Sequence, residues 1–184
     1  MKEVQADEPL VIHGWAIFAH PLFLDQVEAL AAKVTSLKKK HPKDYVKKSA
    51  AKLLAAILHL AFEAIPQDPT RTEYRQGGTL GPAYKHWFRA KFFQQYRLFF
   101  RYHLESKTLV LAWVNDEDTK RAYESEDDAY RVFGKMLASG HPPDDWKALL
   151  KESTGTYAAI AELEAGKGKK FKSAKALLEN LNRG

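Results

Sequence analysis

The spacing of apolar positions changes several times along the chain, and each change marks an element. Leu10 to Phe18 reads as a short strand, with bulky side chains at Val11, Trp15 and Ile17. Pro21 then opens a helix in which Phe23, Val27, Leu30, Ala31, Val34 and Leu37 recur at helical spacing. Lys38, Lys39 and Lys40 fall at its C-terminal end, where positive charge suits the helix dipole. After His41-Pro42, a second helix is expected from Lys43 to Ala64, with Leu54, Ile57, Leu58, Ala61 and Ile65 as its apolar stripe. The two helices form a hairpin. Pro66-Gln67-Asp68-Pro69 closes it, and Gly77 to Pro82 reads as loop.

Strand character then takes over. Trp87–Phe93, Tyr96–Leu104 and Thr108–Val114 are three expected strands, the second dense in aromatics and the third in β-branched residues. A helix is expected from Asp127-Asp128 to Ala138, with Tyr130, Phe133 and Leu137 on one stripe and Gly140 as its stop. Pro142-Pro143-Asp144-Asp145-Trp146 starts another short helix, and residues 153–164 read as helical too. Gly166 to Lys170 is a basic linker, followed by a weak terminal helix. The order β-α-α-β-β-β-α points to an α+β domain over residues 1–152, with a helical and basic extension over 153–184.

Composition adds exclusions. Of the 184 residues, 45% are hydrophobic and 28% charged, a globular balance. The absence of cysteine excludes disulfides, cysteine-based zinc sites and thiol nucleophiles. No uninterrupted apolar run reaches the roughly 20 residues of a membrane span. The acidic, polar start argues against a secretory signal, so a cytoplasmic protein without membrane contact is expected. The net charge of +6 is unevenly spread: residues 33–52 carry eight lysines and one acid, and residues 71–107 carry eight Lys/Arg and two acids. Residues 115–128 carry seven acids and two bases, whereas residues 165–184 sum to +5. Such polarity suits an anionic partner on one surface and a cationic partner elsewhere, although solvated faces account for any single run.

The most unusual pattern is the interleaving of cations and aromatics from Lys85 to Arg101. Arg89, Lys91, Arg97 and Arg101 lie within expected strands, where side chains alternate between faces. If Phe93 pairs with Arg97, all four project from one side; if Phe93 pairs with Tyr96, they divide between two. Like charges facing one another on a sheet are unfavourable unless an anion or internal acids such as Asp116, Glu117 and Asp118 neutralise them. Phosphate matches the guanidinium fork best, and neighbouring aromatics suit stacking on single-stranded RNA bases. Phosphodiester cleavage by the 2′-hydroxyl needs a base, charge stabilisation and a proton donor, and Lys, Arg, Tyr and His supply these without a metal. No histidine pair has HExxH spacing, and Gly77-Gly78 lacks the Lys-Ser/Thr of a phosphate loop. His86 and His103 are placed to meet across the hairpin but read more simply as surface or packing residues. No cofactor is expected.

A set of ordered segments resembles the YhaV toxins of bacterial type II toxin–antitoxin systems. They include His13-Gly14-Trp15-Ala16, His20-Pro21, Lys52-Leu53-Leu54, Trp87-Phe88-Arg89-Ala90-Lys91-Phe92 and Tyr96-Arg97-Leu98-Phe99-Phe100-Arg101-Tyr102. Trp113-Val114-Asn115-Asp116-Glu117, Arg121-Ala122-Tyr123, Asp128-Ala129-Tyr130 and Gly140-His141-Pro142-Pro143-Asp144-Asp145-Trp146 continue it. The resemblance implies a RelE-like fold, a helical hairpin packed on a small antiparallel sheet with C-terminal helices. It also implies a ribosome-associated endoribonuclease that cleaves mRNA. Its partner would be a PrlF-like antitoxin with an AbrB-type DNA-binding domain, through which alone the toxin would reach operator DNA.

By position, the resemblance assigns catalysis to Arg89, Lys91, Arg97, Arg121 and Tyr130, with Lys91 as candidate base and Arg97 stabilising the phosphate. Tyr130 orients a base or hydroxyl, or simply packs on the sheet. Lys85, Arg101 and Tyr123 are candidate RNA-binding residues. Two departures are the extension beyond about residue 153 and Glu126, where relatives often carry a base. The competing readings are a basic protein that blocks translation or partners an antitoxin without cutting, and a metal-dependent nuclease using Asp116 and Asp128.

Overall fold

The computed structural model describes residues 9–116 and 128–156. The expected first strand is in fact a hairpin of β1 (Leu10–Ile12) and β2 (Trp15–Ala19). His13 and Gly14 turn the chain at φ of 49° and 80°, the left-handed pair that a two-residue hairpin loop needs. Histidine is not a common turn residue, so the break was not visible in the apolar pattern.

Helix α1 (Pro21–Lys40) starts where expected. His20 caps it, accepting the Leu22 N–H on Nδ1 at 3.2 Å, and Pro21 fills the first turn without needing a partner for a missing N–H. After one tight turn at Tyr45–Lys47, α2 (Ser49–His59) runs back. It continues through a widened turn at Leu60–Ala64 into Ile65–Gln67. The unbroken helix Ser49–Gln67 is long and apolar enough to cross a membrane by length and composition alone. Its Leu54, Ile57, Leu58, Ala61 and Ile65 are buried in the core, which explains that composition.

The remaining strands are β3 (Phe88–Phe92), β4 (Tyr96–His103) and β5 (Thr108–Val114). Together with the first hairpin they form one sheet in the order β1-β2-β5-β4-β3. The expected sheet was antiparallel, but β2 and β5 run parallel, from Ala16↔Thr108 to Ala19↔Leu111. A parallel pair needs a crossover, and the chain between them, helical hairpin included, supplies it. Gln26 of α1 ties helix to sheet: its side chain donates to the Val114 carbonyl and accepts the Val114 N–H.

Helices cover both faces. The α1–α2 hairpin packs Phe23, Val27, Leu54 and Leu58 against Ile17, Leu98, Phe100, Leu109 and Leu111. On the other face, α3 (Asp128–Ala138) and α4 (Trp146–Glu152) bring Tyr130, Phe133, Leu137 and Leu149 onto Trp87, Phe99, Val110 and Trp113. All seven residues of β5 are therefore buried. A bulge beside Phe99/Phe100 leaves Ala112 as an extra residue, so Ala112 and Trp113 both serve the second face.

The helix expected over 153–164 does not begin there. Thr154–Gly155 form β6, antiparallel to Ala19 and Phe18, and the Thr156 hydroxyl donates to the Ile17 carbonyl at 2.8 Å. The ordered sheet thus extends past residue 152. The remainder of that expected helix, the basic linker and the terminal helix lie outside the described residues.

Candidate functional site

The second face of the sheet carries the interleaved cations. In the β3–β4 hairpin, Phe92 pairs with Tyr96, Lys91 with Arg97 and Arg89 with Phe99. The connecting loop is Phe93-Gln94-Gln95, so the register lies two residues from the Phe93–Arg97 pairing and one from the Phe93–Tyr96 pairing. The parity still matches the first of them, so Arg89, Lys91, Arg97 and Arg101 all project from one side. Phe93 and Gln94 hold φ of 44° and 60°, and the exposed Phe93 ring marks the tip.

Their surroundings differ. Lys91 is exposed, whereas Arg89 and Arg97 are only 8% and 5% exposed. Arg89 donates from Nε to the Tyr130 hydroxyl at 2.7 Å and from a terminal nitrogen to the Glu73 carbonyl at 2.6 Å. Arg97 curls back over the hairpin tip and donates to the carbonyls of Gln94 (2.7 Å) and Tyr96 (2.9 Å). Its Nε is buried without a hydrogen-bond partner. Arg101 donates to the Asp144 carbonyl and lies 5.4 Å from the Trp87 ring centre and 5.3 Å from that of Trp146. Burial pulls its pKa below the ordinary arginine value, opposed by the charges of Asp144 and Asp145. The acceptors described for these guanidiniums are neutral oxygens, so their charge is oriented rather than cancelled by them.

The structure thus brings Arg89 and Tyr130 into direct contact and sets Lys91 and Arg97 side by side on the neighbouring strand pair. Tyr130 packs on the sheet as its second reading has it, its ring edge-on to Phe99 at 5.6 Å, and its hydroxyl accepts from Arg89. Because Nε–H is the donor in that bond, the Tyr130 O–H proton remains available to another acceptor. Lys85 is exposed just before β3, and Arg101 lies farther from the tip. Arg121, Tyr123, Glu126, Glu117 and Asp118 lie outside the described residues.

Asn115 is a support that sequence reasoning missed. Its Oδ1 accepts the Arg97 N–H at 2.6 Å and its Nδ2 donates to the Gln95 carbonyl at 2.9 Å. An asparagine after a strand reads as a turn signal, so this bracing role had no distinctive pattern. The Asp144 segment was missed too. Asp144 Oδ1 accepts from the Trp87 indole at 2.8 Å and lies 2.6 Å from His86 Nε2. His86 thus bonds Asp144, while His103 stacks on Trp146.

Among the described residues, one group has metal-ligand composition: the ligand atoms of His20, His141 and Glu152 lie within 4.8 Å of one another. His20 Nδ1 already accepts the Leu22 N–H, which places the ring proton on Nε2, 2.8 Å from Glu152 Oε2. A nitrogen that donates a proton cannot also ligate, so His20 and Glu152 as arranged form a hydrogen-bonded latch between the start of α1 and α4, with the His141 ring edge-on to His20.

Residues 17–154 match the family described as a toxin with endonuclease activity, of a toxin–antitoxin system. The chain belongs to the YhaV toxin family. It is 45% identical over 153 residues to the ribonuclease toxin YhaV of Escherichia coli K12, which covers 82% of this chain and 99% of that relative. Toxin YhaV of Escherichia coli O157:H7 shows the same identity and coverage. No solved structure matches the chain. The matched residues include the β3–β4 hairpin, Tyr130 and the Asp144 segment, so the cationic face described above lies within the YhaV region.

Proposed function

We propose that this protein is an endoribonuclease toxin that cuts mRNA on the second face of its β3–β4 hairpin. The observation that carries the reading is the Arg89–Tyr130 contact beside Lys91 and Arg97. It couples a preoriented guanidinium to a phenol whose proton is free to move. In the reaction, the 2′-oxygen attacks the adjacent phosphorus and its proton passes to the Lys91 side chain, which acts as the neutral amine. Arg89 stabilises the charge on the phosphorane. The bond to the 5′-oxygen breaks as that oxygen takes the Tyr130 proton, leaving a 2′,3′-cyclic phosphate and a 5′-hydroxyl. Arg97 braces the tip that presents Lys91. Arg121 is a further charge stabiliser, and Lys85, Arg101 and Tyr123 extend the RNA surface.

In this reading the fold is a RelE-like variant with a mixed sheet, the reaction needs no metal, and the protein works in the cytoplasm on ribosome-bound mRNA. As a member of a toxin–antitoxin family it has a cognate antitoxin, for which a PrlF-like protein with an AbrB-type DNA-binding domain is the candidate. Mapping RNA 5′ ends after induction tests the reading: new ends are expected with the native chain and none with Arg89→Ala. Growth arrest without new ends would instead identify a non-cutting translation inhibitor. Cleavage abolished by EDTA would overturn the metal-free chemistry.

A further inference from the structure

The cationic stripe does not stop at the proposed cleavage site. On β4 the same face runs from Arg97 through Phe99 and Arg101 to His103, the last residue of the strand. His103 is exposed, yet its ring is held at both its edge and its face. Nδ1 accepts the Ser106 N–H at 3.2 Å and lies 2.8 Å from the Ser106 hydroxyl, which itself donates to Thr108 at 3.0 Å. One ring face lies against Trp146, with centroids 5.8 Å apart and planes 25° from parallel. An exposed histidine held by its strand-end turn and stacked on a half-buried tryptophan has lost its rotamer freedom before any ligand arrives.

The surroundings match a nucleobase. Arg101 lies against the same Trp146 ring, so a fixed positive charge stands beside the stack. Asp144, the nearest acid in this network, has one carboxylate oxygen engaged by the Trp87 indole and by His86. Four residues of β4 separate Phe99, the partner of Arg89, from His103, about 13 Å along the strand. Aromatic faces bind single-stranded bases with little sequence preference because every base has a π-face.

We propose that the His103–Trp146 stack is a nucleobase ledge, which holds one unpaired base of the RNA while Arg89 holds the phosphate to be cut. The ledge rests on the endoribonuclease reading above and adds to it a contact that raises affinity without dictating sequence. An incoming base stacks on the open face of His103 and continues the column already begun by Trp146.

Titration of the full chain with a short single-stranded RNA bearing 2′-fluoro sugars, which cannot be cut by 2′-hydroxyl attack, reads the ledge directly. His103→Ala is expected to weaken binding about ten-fold, within the range that one stacked base contributes. His103→Phe is expected to restore it, because a ring and not a charge is required. An RNA with one abasic site at the ledge position should lose the same factor against the native chain and nothing further against His103→Ala. Native affinity in His103→Ala, or failure of His103→Phe to restore it, overturns the ledge while unmodified RNA cut by the native chain leaves the endoribonuclease reading standing. A native chain that neither binds nor cuts RNA overturns both.

Discussion

Tyr130 has two duties that one substitution separates. Tyr130→Phe keeps the ring against Phe99 but leaves the buried Arg89 Nε without its acceptor. Stability should fall by about 1–3 kcal/mol, as for other orphaned buried donors, which thermal or urea unfolding will show. Cleavage of a model RNA should fall much further, by roughly 10²–10⁴-fold, if the phenol is the proton donor. A rate loss no larger than the stability loss implies would leave Tyr130 as a positioning residue. Asn115→Ala is the structural counterpart. It orphans the buried Arg97 N–H and frees the hairpin tip, and should cost about 1–3 kcal/mol in urea unfolding. Residue spacing put Arg89 with Lys91 and Arg97 with Arg101 but left open whether the two pairs share a face; the observed register keeps the odd-numbered positions of both strands together. Their acceptors were not legible: Glu73, Gln94, Tyr96 and Asp144 offer backbone carbonyls, which every residue type carries alike.

Among the elements, the long helices were the most readable. Helix α1 starts and ends where its apolar stripe and flanking prolines place it. The short strands were harder to place, because three residues of β1 and two of β6 are below the length at which alternation identifies a strand. Their pairing comes instead from the neighbouring chain. The parallel β2–β5 pair was also invisible locally, since direction depends on where the crossover returns the chain. The latch between α1 and α4 belongs to this scale. His20→Ala removes both the cap of α1 and the bond to Glu152, and should destabilise the protein by about 1–2 kcal/mol from the cap alone. Differential hydrogen exchange should show its loss in the first turn of α1 and in α4. Protection unchanged in both places would mean that the latch carries no load.

At the scale of the whole molecule, the two buried faces of the one sheet differ in character. The α1–α2 hairpin builds an uninterrupted apolar layer, whereas the opposite layer admits three guanidiniums among its aromatics. That asymmetry makes RNA affinity salt-dependent. Lys85→Ala, which removes one exposed cation of the proposed RNA surface, should lower the slope of log affinity against log salt by about 0.7 for a single strand. Fluorescence anisotropy at several salt concentrations checks this, and an unaltered slope would place Lys85 outside the phosphate path.

The outer margin of the sheet is shared by two distant parts of the chain. Leu10 faces Ile17 and Gly155 faces Phe18, so β1 and β6 lie end to end along a single border of β2. The described residues therefore nearly close into a ring at that seam. A circularly permuted version, with Thr156 joined to Pro9 by a short Gly-Ser bridge and opened instead at the exposed Gly77-Gly78 loop, should fold to the same sheet.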